Sequence, residues 1–139
     1  MVSAPPGTGK LHILTVEDDP DTAQNLAFLL RREGHEVNIA LDGPTALRLA
    51  QDQEPDVVLL DINLPGMDGY EVARRFYQQK SAKRPLLIAV TGRGEMEAHQ
   101  QSAAAGIDLH LVKPVNPGQL NAVLRNFGRV ILPGPPDSN

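Results

Sequence analysis

Apolar and polar positions follow two different periods along this chain. Five short apolar runs have the length and make-up of β-strands: LHILTV at residues 11 to 16, EVNIA at 36 to 40, DVVLL at 56 to 60, PLLIAV at 85 to 90 and DLHLV at 108 to 112. Between and after them, apolar residues recur at helical spacing, as in Ala23, Leu26, Ala27 and Leu30, or Leu120, Val123, Leu124 and Phe127. The punctuation agrees. Asp68 with Glu71 reads as a capping box, Asn116 with Pro117 and Gln119 opens the last helix, and Gly34, Gly106 and Gly128 stand where helices should end. Strand alternating with helix five times predicts an α/β fold, with right-handed crossovers, a parallel sheet and helices on both of its faces. DVVLL and PLLIAV are apolar at consecutive positions, as strands covered on both sides are. In such sheets ligands bind beyond the carboxyl ends of the strands, so function is expected at that edge.

The ends differ in composition. Residues 1 to 10 and 133 to 139 are rich in Pro, Gly and Ser, which predicts a flexible N-terminal tail or linker over 1–10, a folded unit over 11–127 and a C-terminal tail or linker over 128–139. The stretch PPGTGK at residues 5 to 10 looks like a phosphate-binding loop, but its context is wrong. Such a loop needs a strand before it, a glycine at its start, Ser or Thr after the lysine and a helix behind it. Here Ala4 and Leu11 occupy the two diagnostic positions, and a strand comes next.

With 139 residues, 41% of them hydrophobic and 22% charged, the chain has the make-up of one globular domain. It contains no cysteine, which excludes disulfides and thiolate metal sites. LHILTV is too short for a secretory signal and is followed at once by Glu17, Asp18 and Asp19, and no run approaches the roughly 18 apolar residues of a membrane span. A cytoplasmic location without a membrane partner is the expectation. A net charge of −4 argues against direct nucleic-acid binding, which needs a basic face. His12, His35, His99 and His110 show no zinc-ligand spacing.

Immediately after the strands come Glu17 and Asp18, then Asp61, Thr91 and Lys113. Three carboxylates on one rim repel one another unless a cation joins them, and oxygen ligands of this kind suit magnesium. A carboxylate is also a competent nucleophile toward a phosphoryl group. Thr91 could then hydrogen-bond one phosphoryl oxygen and Lys113 neutralise another.

Four blocks, ILTVEDDP, VVLLDINLPGMDGYEVARR, LIAVTGRG and LVKPVNPGQL, closely resemble the receiver domains of two-component response regulators, over residues 11 to about 127. The resemblance implies a flavodoxin-like, doubly wound (βα)5 fold with strand order 2-1-3-4-5. It implies that Asp61 is the phosphoacceptor and that Asp18 is the principal Mg2+ (or Mn2+) carboxylate, with Asp61 sharing the ion. Glu17 would assist through water and Asn63 through its backbone carbonyl. Thr91 resembles the switch hydroxyl and Lys113 the phosphate-contacting lysine, with a cis bond expected before Pro114. The implied partners are a sensor or hybrid histidine kinase, or a phosphotransfer protein, and a downstream protein that sequence does not identify. The chain would be a signalling protein that assists its own phosphotransfer and dephosphorylation, either standing alone or cut from a larger regulator or hybrid kinase.

Two positions depart from the common pattern. His110 stands where receivers usually carry Tyr or Phe and is the candidate switch ring; Arg93 stands at a variable position that tunes phosphate lifetime. Asp19 and Asp68 read as helix caps rather than ligands. A phosphatase of the haloacid dehalogenase type is the enzymatic alternative. It needs an Asp where this chain has Asn63, and its acidic pair comes after the nucleophile, whereas Glu17 and Asp18 precede Asp61. A degenerate receiver acting only as a binding module is the third reading, opposed by the presence of all five site residues.

Overall fold

The computed structural model describes residues 10–64, 68–79, 84–92 and 106–131, with side chains to residue 127. The five apolar runs form strands β1 (His12–Val16), β2 (Glu36–Ala40), β3 (Val57–Asp61), β4 (Leu86–Thr91) and β5 (Leu109–Val112). They pair in parallel in the order β2-β1-β3-β4-β5, the flavodoxin-like order. Four described helices flank the sheet: α1 (Pro20–Arg32), α2 (Gly43–Gln53), α3 (Gly69–Gln78) and α4 (Pro117–Ile131). The further helix expected to end at Gly106 lies outside the described residues. Gly106 itself has φ +88°, as a helix-ending glycine does.

Strand alternation sorts the core into two layers. Leu14, Val16, Val58, Leu60, Leu87 and Ala89 pack with α2 and α3, whereas Ile13, Val57, Leu59, Ile88 and Leu111 pack with α1 and α4. The predicted stripe of α1 is buried at Ala23, Ala27 and Leu30, and that of α4 at Leu120 and Leu124. Pro20 and Pro117 open their helices, and Asp42 and Asp68 cap theirs through Thr45 N–H and Tyr70 N–H. Glu71, expected to complete a capping box, has its carboxylate against Arg74 and Arg75. Gly128 does not stop α4, which continues to Ile131. A single helical glycine costs only about 1 kcal/mol relative to alanine, which surrounding helix can absorb.

At the amino edge of the sheet, acids are used to hold strands together. Asp56 Oδ2 accepts the His12 N–H at 2.8 Å and Asp108 Oδ2 accepts the Leu87 N–H at 2.9 Å, so each acid secures the first residues of a neighbouring strand. His35, just after Gly34 (φ +97°), accepts the Leu11 N–H on Nδ1 at 3.2 Å. That role requires a neutral ring protonated on Nε2.

Burial holds His35 below its ordinary value of 6.5, with Glu33 opposing. The unfolded chain therefore takes up this proton first as pH falls. Stability from neutral His35 is complete above about pH 6.5 and is lost as pH drops from there toward the lower native value. Urea midpoints should fall between about pH 7.5 and about pH 5.5, and His35→Gln, which keeps a neutral acceptor, should show a smaller fall over the same window. Equal slopes for the two proteins would exclude this contribution.

Candidate functional site

Because the strands are parallel, their carboxyl ends share one edge. Glu17 and Asp18 come after β1, Asp61 ends β3, Thr91 ends β4 and Lys113 comes after β5, so all five predicted residues reach that edge. One ligand oxygen from each of Glu17, Asp18 and Asp61 lies within 4.8 Å of the others.

Asp61 is only 4% exposed, and a carboxylate so enclosed needs partners to stay charged. It has one on each oxygen. The Asn63 backbone N–H donates to Oδ1 at 2.9 Å, and the Lys113 ammonium donates to Oδ2 at 3.0 Å. Lys113 is delivered by the sheet itself, since its N–H donates to the Thr91 carbonyl at 2.8 Å, just past the end of β5. The Lys113–Pro114 bond is cis, as expected. The loop carrying Asn63 is pressed against the start of α3: Gly69 N–H donates to the Ile62 carbonyl at 3.2 Å, and a Cβ on Gly69 would stand 2.5 Å from Ile62 Cα. Only glycine allows that approach.

The electrostatics reflect this crowding. Burial pushes the Glu17 carboxyl above its usual range; a hydrogen bond from the Asp19 N–H opposes the shift, while Asp18 and Asp61 add to it. Burial acts against the Lys113 charge as well, but its hydrogen bond to Asp61 and the fields of Asp61, Glu17 and Asp18 outweigh that and raise its affinity for the proton.

Asn63 contributes its backbone N–H to this geometry, a contact that the sequence did not suggest. Thr91 is 4% exposed. His110 is half-buried on β5, between exposed Leu109 and buried Leu111. Asp19 stands at the N-cap of α1, with its carboxylate taking the Thr22 hydroxyl at 2.5 Å. Gly92 is described, whereas Arg93, Gly94 and residues 1–9 with most of the PPGTGK stretch lie outside the described residues. A cavity of about 750 Å³ adjoins the cluster, between α1 and the start of α4, with Leu26, Leu29, Leu59 and Val115 among its walls. Thr15 also lines it, a residue that sequence reading passed over. The available signal was a lone hydroxyl inside the otherwise apolar run ILTV.

The response regulator receiver domain model matches residues 13–125, and the chain belongs to that family. It is 38% identical over 127 residues to the transcriptional regulatory protein TcrA of Mycobacterium tuberculosis, covering 91% of this chain and 49% of TcrA. The chain thus spans about half the length of that relative. Among solved structures, it is similar to the chemotaxis response regulator CheY4 of Vibrio cholerae, with a TM-score of 0.78 and 32% identity over 86% of this chain and 99% of that one. It is also similar to the receiver domain of sensor histidine kinase PA1611 from Pseudomonas aeruginosa PAO1, whose structure has a magnesium ion coordinated in the active site cleft. There the TM-score is 0.76 and the identity 31%, over 86% of this chain and 98% of that one. Among the described residues, no helix is long and apolar enough to cross a membrane.

Since Glu17 is held above its ordinary 4.5, the native chain keeps that proton longer than the unfolded chain, and ionising it lowers stability as pH rises through the raised native value. Without divalent cation at neutral pH, Asp18→Asn should relieve the crowding and raise Tm by about 3 °C, measured by scanning calorimetry in chelator. An unchanged or lower Tm would show that the three carboxylates do not strain the fold.

Proposed function

We propose that this chain is the phosphoacceptor of a two-component phosphorelay and that Asp61 receives the phosphoryl group from a phosphohistidine. The observation that carries this reading is a carboxylate 4% exposed, gripped on one oxygen by Lys113 and facing two further acids at the carboxyl edge of the sheet. In the transfer, an Asp61 oxygen forms a bond to phosphorus while the donor's N–P bond breaks, and the donor imidazole nitrogen keeps the electron pair. The donor is a sensor or hybrid histidine kinase or a phosphotransfer protein.

The hard oxygen ligands converging at this edge fit Mg2+, and Mn2+ suits the same set. Asp18 and Asp61 would hold the ion directly, Glu17 through water and Asn63 through its carbonyl. When bound, the ion supplies the positive charge that lets a phosphate approach three carboxylates. Lys113 orients the acceptor before transfer and neutralises a phosphoryl oxygen after it. The Thr91 hydroxyl hydrogen-bonds another phosphoryl oxygen, and its inward movement frees space that the half-buried His110 ring can enter. This carries the change to the surface where a downstream protein docks. The same chemistry run with water makes the chain assist its own dephosphorylation, so it acts as a switch rather than as an enzyme with a separate substrate. The folded unit is 11–127 extended along α4 to residue 131, with the remaining ends as tails or linkers in a cytoplasmic protein that contacts neither nucleic acid nor membrane through this unit.

A small phosphodonor such as acetyl phosphate should label the protein with Mg2+ present, and neither Asp61→Asn nor the unmodified protein in excess chelator should retain label. Lys113→Ala should slow labelling by roughly 100-fold, the scale on which removal of one charge-stabilising donor acts. Label persisting on Asp61→Asn would overturn the assignment of the acceptor, and no labelling of the unmodified protein would favour a receiver that serves only as a binding module.

A further inference from the structure

β2 closes one side of the sheet, with β1 as its only neighbour among the described residues. Glu36 donates its N–H to the Leu11 carbonyl and the Ala40 carbonyl accepts the Glu17 N–H, so Glu36, Asn38 and Ala40 turn their backbone groups toward β1. Val37 and Ile39 turn theirs outward. The Val37 carbonyl accepts Arg31 Nη2 at 2.8 Å, whereas the Ile39 N–H and carbonyl have no partner among the described residues. Exposed edges are ordinarily blunted by a lysine, a proline or a bulge. The stretch from Val37 to Leu41 contains neither residue, and β2 pairs with β1 in unbroken register from His12–Glu36 to Val16–Ala40. The flank of α1 along this edge is apolar as well. Arg31 reaches Val37, which sets its side of the helix beside β2, and Phe28, one turn earlier on that side, is 60% exposed with Arg32 over its ring. Leu41, just past the end of the strand, is 44% exposed.

We propose that β2 is a self-association edge: two copies of this chain pair β2 with β2, antiparallel, across a two-fold axis at Ile39. Ile39 exchanges both backbone bonds with Ile39 of the second copy, and Val37 lies opposite Leu41 of the second copy. One patch then serves both subunits, as an isologous interface requires. Self-complementarity selects a second copy over an unrelated strand. Phe28 is about 5 Å along α1 from Arg31, and Ile39 is about 7 Å along β2 from Val37, both toward the carboxyl edge, so the two Phe28 rings meet near the axis. The same axis turns the basic end of α1, Arg31 and Arg32, toward the acids of the second copy at the opening of its α1 and α2, Asp21 and Asp42. Arg31 keeps its bond to Val37, since a carbonyl oxygen accepts on two lone pairs. Pairing along β2 does not depend on the phosphoacceptor reading.

The full chain is followed by sedimentation velocity from about 5 µM to about 500 µM, the range of weak dimers, with amide hydrogen exchange at both ends of it. We expect monomer at the lower end and dimer at the upper, with the Ile39 amide exchanging about tenfold more slowly in the dimer. Phe28→Glu changes an exposed side chain, so it should fold, and it sets two carboxylates against each other at the axis, which should weaken dimerisation by about tenfold or more. Val112→Glu, on β5 at the opposite side of the sheet, should leave dimerisation unchanged. A monomer throughout, a dimer indifferent to Phe28→Glu, a dimer dissolved by Val112→Glu, or an Ile39 amide equally protected at both concentrations would each overturn the proposal.

Discussion

A carboxylate at the end of a strand that is buried along its whole length can stay charged only if other parts of the fold come to it. Asp61 is that carboxylate: Val57, Val58, Leu59 and Leu60 before it are at most 1% exposed, and its own exposure is 4%. Its neutralising partner, Lys113, comes from beyond β5, two strands away, and arrives because the β4–β5 ladder carries on to the bond between Lys113 N–H and the Thr91 carbonyl. The Asn63 N–H comes from the loop that Gly69 allows to press on α3. Losing the sheet order or the ladder's last bond would leave the same buried charge without its ammonium, at a cost of several kcal/mol, and a bulkier residue at that glycine would disturb the loop that brings the second donor.

The two edges of the sheet use acids in opposite ways. At the amino edge, Asp56 and Asp108 each accept the N–H of a neighbouring strand, which ties β3 to β1 and β5 to β4. At the carboxyl edge, Glu17 and Asp18 are crowded against Asp61, and among the described residues Lys113 is the cation paired with that acid. Acids spent on backbone donors make a rigid frame, and acids set against one another make a site that gains from any cation placed there. The frame lets the strained edge persist.

The fold was largely legible because its cause is local and repeated. Five apolar runs of strand length separated by helical stripes leave few architectures that bury both, and each run became a strand within a residue or two of its predicted limits. Gly128 misled because a lone glycine is a weak stop signal when the flanking residues favour helix. Glu71 misled because its own helix offered Arg74 and Arg75.

The chemical character of the carboxyl edge could be read from the residue types directly after each run, since parallel strands must bring those residues to one side. The sequence by itself determined the parallel sheet, its two apolar layers and the identity of the five residues at the rim, because each depends on spacing of a few residues. Tertiary structure alone decided that Lys113 grips Oδ2 while Asn63 N–H holds Oδ1, that the Thr15 hydroxyl is buried without a hydrogen-bond partner among the described residues, and that His35 latches Leu11. Those pairings join residues far apart in the chain, and their geometry is set by how helices settle on the sheet, which no local pattern encodes.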